Sequence, residues 1–506
     1  MLAFSVTLFA CDNGVAGMSA YQIAVANGFQ GTETEWLNSL KGLNGTSGRD
    51  ADISASDLYN LGVEKGYYTN DKEGYVAFLK DYMSDNLSSE LIAAIERLSH
   101  DADSTNIIAT VGSRCINSVV AIYVPVTSSS FKMGSGVIYY LGDDVGYVVT
   151  NYHLCYIEDE NTEANEYYMY LYGYEPLVVS SGVLIGTEDS NEIIGTYIGG
   201  TCGGDSSLGE PGYDLAVLKV QGDSLARLKA LGARSATFGD SNGIQLGDTA
   251  IAIGNPLGTG IALTSGCVSR VSEPVIVSIA GATREIRCFR MDATINAGSS
   301  GGGVFDIDGR LIGISNSKNI ASQVESVCNA IPSNDVKAFA DNIIYFHNKA
   351  LADETVEDKT VGLHKYMVGI TYNKYSNPTR EDNEDGSSTL HVDVPVVTVK
   401  DGGTAQTMGV RVGDYLVGLF IRRNGEETET RYDFTRGEDL QTIMLTLRDG
   451  DEMSFIVKRL YEEIGELIEG RTNSHIITIE GYNIYKGAGI QQTSPSNPVE
   501  DQDEEE

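Results

Sequence analysis

Asn296-Ala-Gly-Ser-Ser-Gly-Gly-Gly-Val-Phe-Asp-Ile-Asp-Gly-Arg-Leu-Ile-Gly-Ile314 sets a serine, Ser300, inside a run of glycines. Glycine lets a chain turn sharply, so the Ser300 hydroxyl and the backbone N–H groups of Gly298, Ser299 and Ser300 can be presented to one point. Gly298 to Gly302 also satisfies G-x-S-x-G, which in a strand–turn–helix setting forms a nucleophile elbow. The residues that follow do not read as a helix. Val304 to Ile314 reads as two short strands about an Asp308-Gly309 turn, the pattern of a β-hairpin, so the serine is expected in a β architecture.

A hydroxyl attacks a carbonyl only if a base takes its proton, an acid orients that base, and N–H donors meet the developing oxyanion. His153 stands at the exit of the apolar run Tyr147-Val-Val-Thr-Asn-Tyr-His153 and is the only histidine between His100 and His347. Asp214 opens the strand-like Asp214-Leu-Ala-Val-Leu-Lys219, where a bare carboxylate would be costly to bury. A partner is implied, and an imidazole supplies one. The order His153, Asp214, Ser300 fits the chymotrypsin arrangement, whereas an α/β-hydrolase needs its histidine after the serine, here His347 or His364. The expectation is a His153–Asp214–Ser300 triad with Ser300 as nucleophile.

A length of 506 residues calls for two to four domains. Fifty-seven glycines against 10 prolines lean toward turn-rich β structure. The net charge of −36 argues against nucleic acid as a partner, because phosphate binding draws on clustered Lys and Arg. Six histidines and no Cys-x-x-Cys pair leave a metal site without ligands, and no cofactor is expected. Setting Cys11 aside, Cys115, Cys155, Cys202, Cys267, Cys288 and Cys328 make an even number, which permits disulfides; buried free thiols are the alternative. Met1 to Ala10 is apolar but too short for a membrane span of ~20 residues. It reads as an export signal, and Leu8-Phe-Ala-Cys11 resembles the bacterial lipoprotein processing site, with Cys11 as the lipidated residue, although no Lys or Arg precedes the apolar run.

Along the chain, residues 1–11 are the expected signal, followed by small helical repeat modules at 12–50 and 51–83. Ile23, Val25, Gly28, Phe29 and Trp36 of the first correspond to Leu61, Val63, Gly66, Tyr67 and Tyr75 of the second. They read either as a partner-binding spacer or as a passive stalk. A helical linker at 84–104 precedes a β domain at 105–346. A smaller α/β unit at 360–462 carries strands near Val396–Val399, Tyr415–Ile421 and Met453–Lys458 and a helix near Asp439–Leu447. Residues 463–506 are expected to be a mostly disordered, acidic tail.

Gly134-Ser-Gly-Val-Ile138, Val149-Thr-Asn-Tyr-His153, Asp214-Leu-Ala-Val-Leu-Lys219, Phe238-Gly-Asp-Ser241, Ala252-Ile-Gly-Asn-Pro-Leu-Gly258 and Asp292 to Gly302 resemble, in order, the motifs of the HtrA (DegP-like) family of trypsin-like serine proteases with PDZ domains. The resemblance spans roughly residues 105 to 345. It implies a mainly β, chymotrypsin-like double β-barrel with the active site between the barrels, cleaving unfolded or damaged proteins outside the cytoplasmic membrane, and a trimer-like homo-oligomer. Ala297 and Gly303 stand where the family has prolines and Ser299 where it has asparagine, which implies a loosened serine loop whose oxyanion hole is disordered at rest. Thr294, with Ile314 and Ser315, would line the S1 pocket and select a small apolar P1 residue. Tyr366-Met-Val-Gly-Ile370 and Val396 to Gly418 resemble a PDZ domain. The backbone of Tyr366, Met367, Val368, Gly369 and Ile370 would then receive a peptide C-terminus as an added strand.

Overall fold

Residues Val119 to Val124 are all buried, although a strand with one wet face should alternate. The reason is that this strand lines a closed barrel whose outside is covered as well. A computed structural model describes residues 107–490, apart from 128–129, 159, 161, 179–183, 186–191, 202–211, 280–281, 317–327, 365, 374–378, 383–387, 462–464, 480–484 and 487–488. Cys11, Cys202 and both helical repeat modules lie outside the described residues.

A helix, α1 (Ile107–Cys115), leads into six strands: β1 (Val119–Thr127), β2 (Ser130–Leu141), β3 (Val145–Thr150), β4 (Tyr167–Tyr170), β5 (Ile193–Thr201) and β6 (Leu215–Gln221). They close in the order β1-β2-β3-β6-β5-β4. A second barrel repeats the same order with β7 (Thr249–Gly254), β8 (Ala262–Ile279), β9 (Ala282–Met291), β10 (Gly303–Phe305), β11 (Leu311–Asn316) and β12 (Cys328–Pro332). The hairpin read from the sequence after Ser300 is β10–β11, turned at Asp306–Arg310 with Gly309 at φ +75°. Tyr123 and Tyr170 meet edge to face in the first barrel, and Phe289, Val304 and Ala330 fill the second. Truncating a side chain as enclosed as Phe289 would cost about 3–5 kcal/mol.

The chain leaves the second barrel through a helix (Ser333–Ala352) that runs past the boundary expected at 346. It is amphipathic, and Val336, Phe339, Ile343 and Phe346 bury one face. Asn342 on this helix donates through Nδ2 to the carbonyls of His364 and Leu445 at 2.6 and 2.8 Å. Val361 in turn bonds Ile198 of the first barrel at 2.9 Å. The bridging helix is therefore shared packing rather than a free linker.

Most of the remaining described residues build a seven-stranded sheet whose main path runs Ile370–Tyr372, Val394–Val399, Tyr415–Arg422, Glu452–Tyr461 and Glu466–Arg471, with Glu429–Asp433 paired beside Tyr415–Arg422. A helix at Asp439–Leu445 lies where the sequence pattern placed one. The expected start of a disordered tail at 463 is too early. Residues Glu466–Arg471 pair with Glu452–Tyr461 along their whole length, and His475–Ile476 add a further short strand. Acidic, exposed side chains hid this edge strand, because its pairing relies on backbone hydrogen bonds rather than a buried face. Among the described residues no helix is long and apolar enough to cross a membrane.

Candidate active site

The register of β3 against β6 sets Val149 opposite Val217 and Thr150 opposite Ala216. The residues just beyond, a helical turn at Tyr152–Cys155 and the segment leading into β6, are therefore neighbours, and these carry His153 and Asp214. The Asp214 carboxylate accepts the His153 backbone N–H at 2.9 Å through Oδ1 and meets Nδ1 at 2.8 Å through Oδ2. Asp214 is fully buried, while the His153 side chain keeps about 10% of its surface exposed. With Nδ1–H donating to the carboxylate, Nε2 is left as the ring's acceptor nitrogen.

Two asparagines that sequence reading did not single out complete this arrangement. Asn316 Nδ2 donates to Asp214 Oδ2 at 2.8 Å, and Asn151 Nδ2 donates to the Asp214 carbonyl at 3.0 Å. Asp214 adopts φ +45°, a left-handed conformation that costs a non-glycine residue about 1–2 kcal/mol. Its carboxylate and carbonyl are both bonded, which holds the residue there against the strain. A buried carboxylate calls for a partner and His153 supplies one, but nothing in local sequence marks Asn316, 102 residues away, as a second donor.

Ser300 is 4% exposed and sits within the second of two consecutive tight turns. Ser299 N–H donates to Asn296 O and Gly302 N–H to Ser299 O, both at 2.9 Å. Gly298 takes φ +94°, the conformation a type II turn requires at its third position. Gly301 has φ +84°, and a Cβ there would lie 2.2 Å from Ser135 O and 2.4 Å from Thr150 Oγ1. Glycine is thus the residue that lets the serine loop close onto the end of β3, where His153 follows.

Two sequence expectations need correction here. Of the three N–H groups expected to face an oxyanion, that of Ser299 is spent within its own turn. The loop is also not loosened by the missing prolines. Each carbonyl from Asn296 to Ser300 accepts a hydrogen bond: Asn296 from Ser299, Ala297 from Leu257, Gly298 from Ser135, Ser299 from Gly302, and Ser300 from Ser135. Tertiary hydrogen bonds brace what proline would have stiffened.

Beside the loop, a cavity of about 50 Å³ is lined by Thr294, Ser299, Ser315, Thr264, Ala262 and Gly254 among others. Ile314 is not part of it. It is fully buried and pairs with Gly303 and Ile331 inside the second barrel, because alternation along β11 turns it away from Ser315. Separately, Tyr366, Met367, Val368, Gly369 and Ile370 all line one groove of about 760 Å³, which Lys400, Leu440 and Met444 also border. Tyr366 is fixed at its rim by a 2.8 Å contact between its hydroxyl and His475 Nε2.

Among the described residues, Cys115, Cys155, Cys267, Cys288 and Cys328 are free thiols, and no three His, Cys, Asp or Glu side chains converge as a metal site. Residues 134–314 match the trypsin-like peptidase domain family. The chain is similar to a serine protease Do-like HtrA of Bacillus subtilis (strain 168), with 29% identity over 339 residues, 64% of this chain and 63% of that protein. A serine protease Do-like HtrA of Lactococcus lactis subsp. lactis (strain IL1403) is 31% identical over 292 residues, 56% of this chain and 59% of that protein. The chain therefore spans about three-fifths of these relatives' length. A solved structure described as "HtrA-type protease AlgW with tripeptide" aligns at a TM-score of 0.41 and 23% identity, covering 74% of this chain and 99% of that one.

Proposed function

From the HtrA-type trypsin-like peptidase domain that this chain carries across residues 134–314, we propose a serine endopeptidase that cleaves unfolded or damaged proteins outside the cytoplasmic membrane. The observation that carries the reading is the double contact between buried Asp214 and His153 beside a braced serine loop. Ser300 Oγ attacks the scissile carbonyl as His153 Nε2 takes its proton, and Asp214 stabilises the imidazolium that forms. The tetrahedral oxygen sits against the Gly298 and Ser300 N–H groups. His153 then returns the proton to the leaving amine, and water, deprotonated by the same nitrogen, releases the acyl group from Ser300. These steps draw on side chains, backbone amides and water.

The 50 Å³ cavity, lined by small and apolar residues with threonine, serine and Asn296 but no acidic residue, suits a small apolar P1 side chain. The groove at Tyr366–Ile370 is the proposed PDZ-like site for a peptide C-terminus, laid as an extra strand beside Ile370–Tyr372. A lipid anchor at Cys11 and a trimer-like assembly complete the proposal.

Degradation of reduced casein by the full chain, beside Ser300→Ala and with fluorophosphonate labelling of both, tests it. Cleavage and labelling by the parent alone support the endopeptidase. If neither protein cleaves or labels, yet both suppress aggregation, the groove makes the chain a peptide-binding chaperone instead.

A further inference from the structure

In a trans peptide the C=O and N–H point in opposite directions. Whatever holds the Ala297 carbonyl therefore decides where the Gly298 N–H points. Ala297 O accepts the Leu257 N–H at 2.6 Å. No acceptor takes the Gly298 N–H among the described residues. Leu257 adopts φ +58° and the residue is 62% exposed, so side-chain packing does not account for the strain. The turn that imposes it is closed by Asn255, whose carbonyl accepts from Gly258 at 3.2 Å and whose Oδ1 accepts from Gly260 at 3.0 Å.

One buried residue of the first barrel joins these parts. Ser135, on β2, is fully buried. Its Oγ accepts the Asn255 N–H at 2.8 Å and donates to the Gly298 carbonyl at 2.8 Å, while its own N–H donates to Ser300 O at 2.8 Å. A hydroxyl has one proton, an amide N–H can only donate and a carbonyl can only accept. The direction of the relay is thereby set, from Asn255 N–H to Ser135 Oγ–H to Gly298 C=O. Both peptide planes flanking Gly298 are clamped, one by Leu257 and one by Ser135, and Ser135 also grips the residue that carries the nucleophile.

We infer that Ser135 is a positioning residue for the oxyanion site: its hydroxyl relay clamps the Gly298 peptides so that the Gly298 N–H faces the reacting carbonyl before substrate binds. Without the relay, the Gly298–Ser299 peptide loses its clamp and the Asn255 turn that carries Leu257 loses its tie to the serine loop, so the Gly298 N–H is oriented by the Leu257 contact alone. This rests on the proposed endopeptidase reading and concerns transition-state stabilisation rather than substrate binding, so its signature lies in kcat.

The test compares the full chain with Ser135→Ala and Ser135→Cys, the latter keeping a weaker donor at the same place. A chromogenic peptide with a small P1 residue gives kcat and KM, and a peptide boronate of the same sequence reports the tetrahedral geometry. Thermal unfolding checks each fold. The expected result is a kcat about 10- to 100-fold lower for Ser135→Ala at an unchanged KM, a matching loss of boronate affinity, and Ser135→Cys in between. Parent-like kcat and boronate affinity in Ser135→Ala overturn the inference, as does a parallel loss of KM and folding stability. Should Ser135→Ala not fold, equality of the parent and Ser135→Cys in kcat overturns it. A parent chain that neither cleaves nor labels with fluorophosphonate overturns the endopeptidase reading itself, a result distinct from all of these.

Discussion

Asp214 holds His153 at two points, through Oδ1 to the backbone N–H at 2.9 Å and through Oδ2 to Nδ1 at 2.8 Å. One contact would orient the carboxylate; two fix the imidazole relative to its own main chain. The ring cannot swing without breaking a charge-assisted bond to a fully buried carboxylate.

Asp214→Asn preserves that shape and reverses its electrical sense. An amide NH2 facing Nδ1 would favour the tautomer with its proton on Nε2, which cannot accept from Ser300. Peptide hydrolysis is expected to fall by about 10⁴ in kcat, with the unfolding midpoint little changed. A rate within tenfold of the parent would remove Asp214 from the proposed triad.

Asn316→Leu removes the amide donor to Oδ2, the same carboxylate oxygen that meets His153 Nδ1. A hydrogen bond to a charged group is worth about 1.5–3 kcal/mol, part of which other donors at Asp214 recover. The expected loss is about tenfold in kcat with KM retained, measured on the same chromogenic peptide. An unchanged rate would leave Asn316 with a packing role only.

His347 makes stability depend on pH. Burial holds its pKa below the ordinary 6.5, against a smaller opposing hydrogen bond with the Lys359 carbonyl. The unfolded chain therefore takes up this proton more readily than the folded one, so the contribution is present above about pH 6.5 and is lost as pH falls below it. Its slope is at most about 1.4 kcal/mol per pH unit. Urea midpoints between pH 7.5 and 5.5 should fall more steeply for the parent than for His347→Gln. Parallel curves would refute the assignment.

Thiol reactivity should follow burial. Burial pushes Cys115 up to about 11 and raises Cys155, Cys288 and Cys328, all of them buried, whereas Cys267 is partly exposed. At pH 8 a thiol of pKa about 11 is about 0.1% thiolate. Native iodoacetamide treatment followed by peptide mapping should modify Cys267 well before the other four. Early modification of Cys155 or Cys288 would show that the barrels open.

The short apolar runs and the Asp308-Gly309 turn announced the barrels because turn chemistry and β-pairing act over a few residues. The glycines around Ser300 announced the tight turns that surround it, and the His153–Asp214 contact was legible from their places at strand ends, since a buried carboxylate demands a partner wherever the chain finds one. The five-residue groove segment Tyr366–Ile370 was legible in the same local way. The edge strand Glu466–Arg471 was not, because its pairing is carried by backbone groups that every residue shares.

The amino-acid order by itself determined which residues could carry the proposed chemistry: a serine among glycines, one histidine at a strand exit, one carboxylate at a strand entry. Only the tertiary structure decided how they are held. Asn316, Asn151, Ser135 and Leu257 reach the site across long stretches of chain, through hydrogen bonds whose partners are fixed by barrel closure. Ser135, Asn151 and Leu257 stand in stretches that resemble family motifs, but such stretches do not say which atoms pair, because a hydrogen bond depends on distance and direction in space and not on separation along the chain.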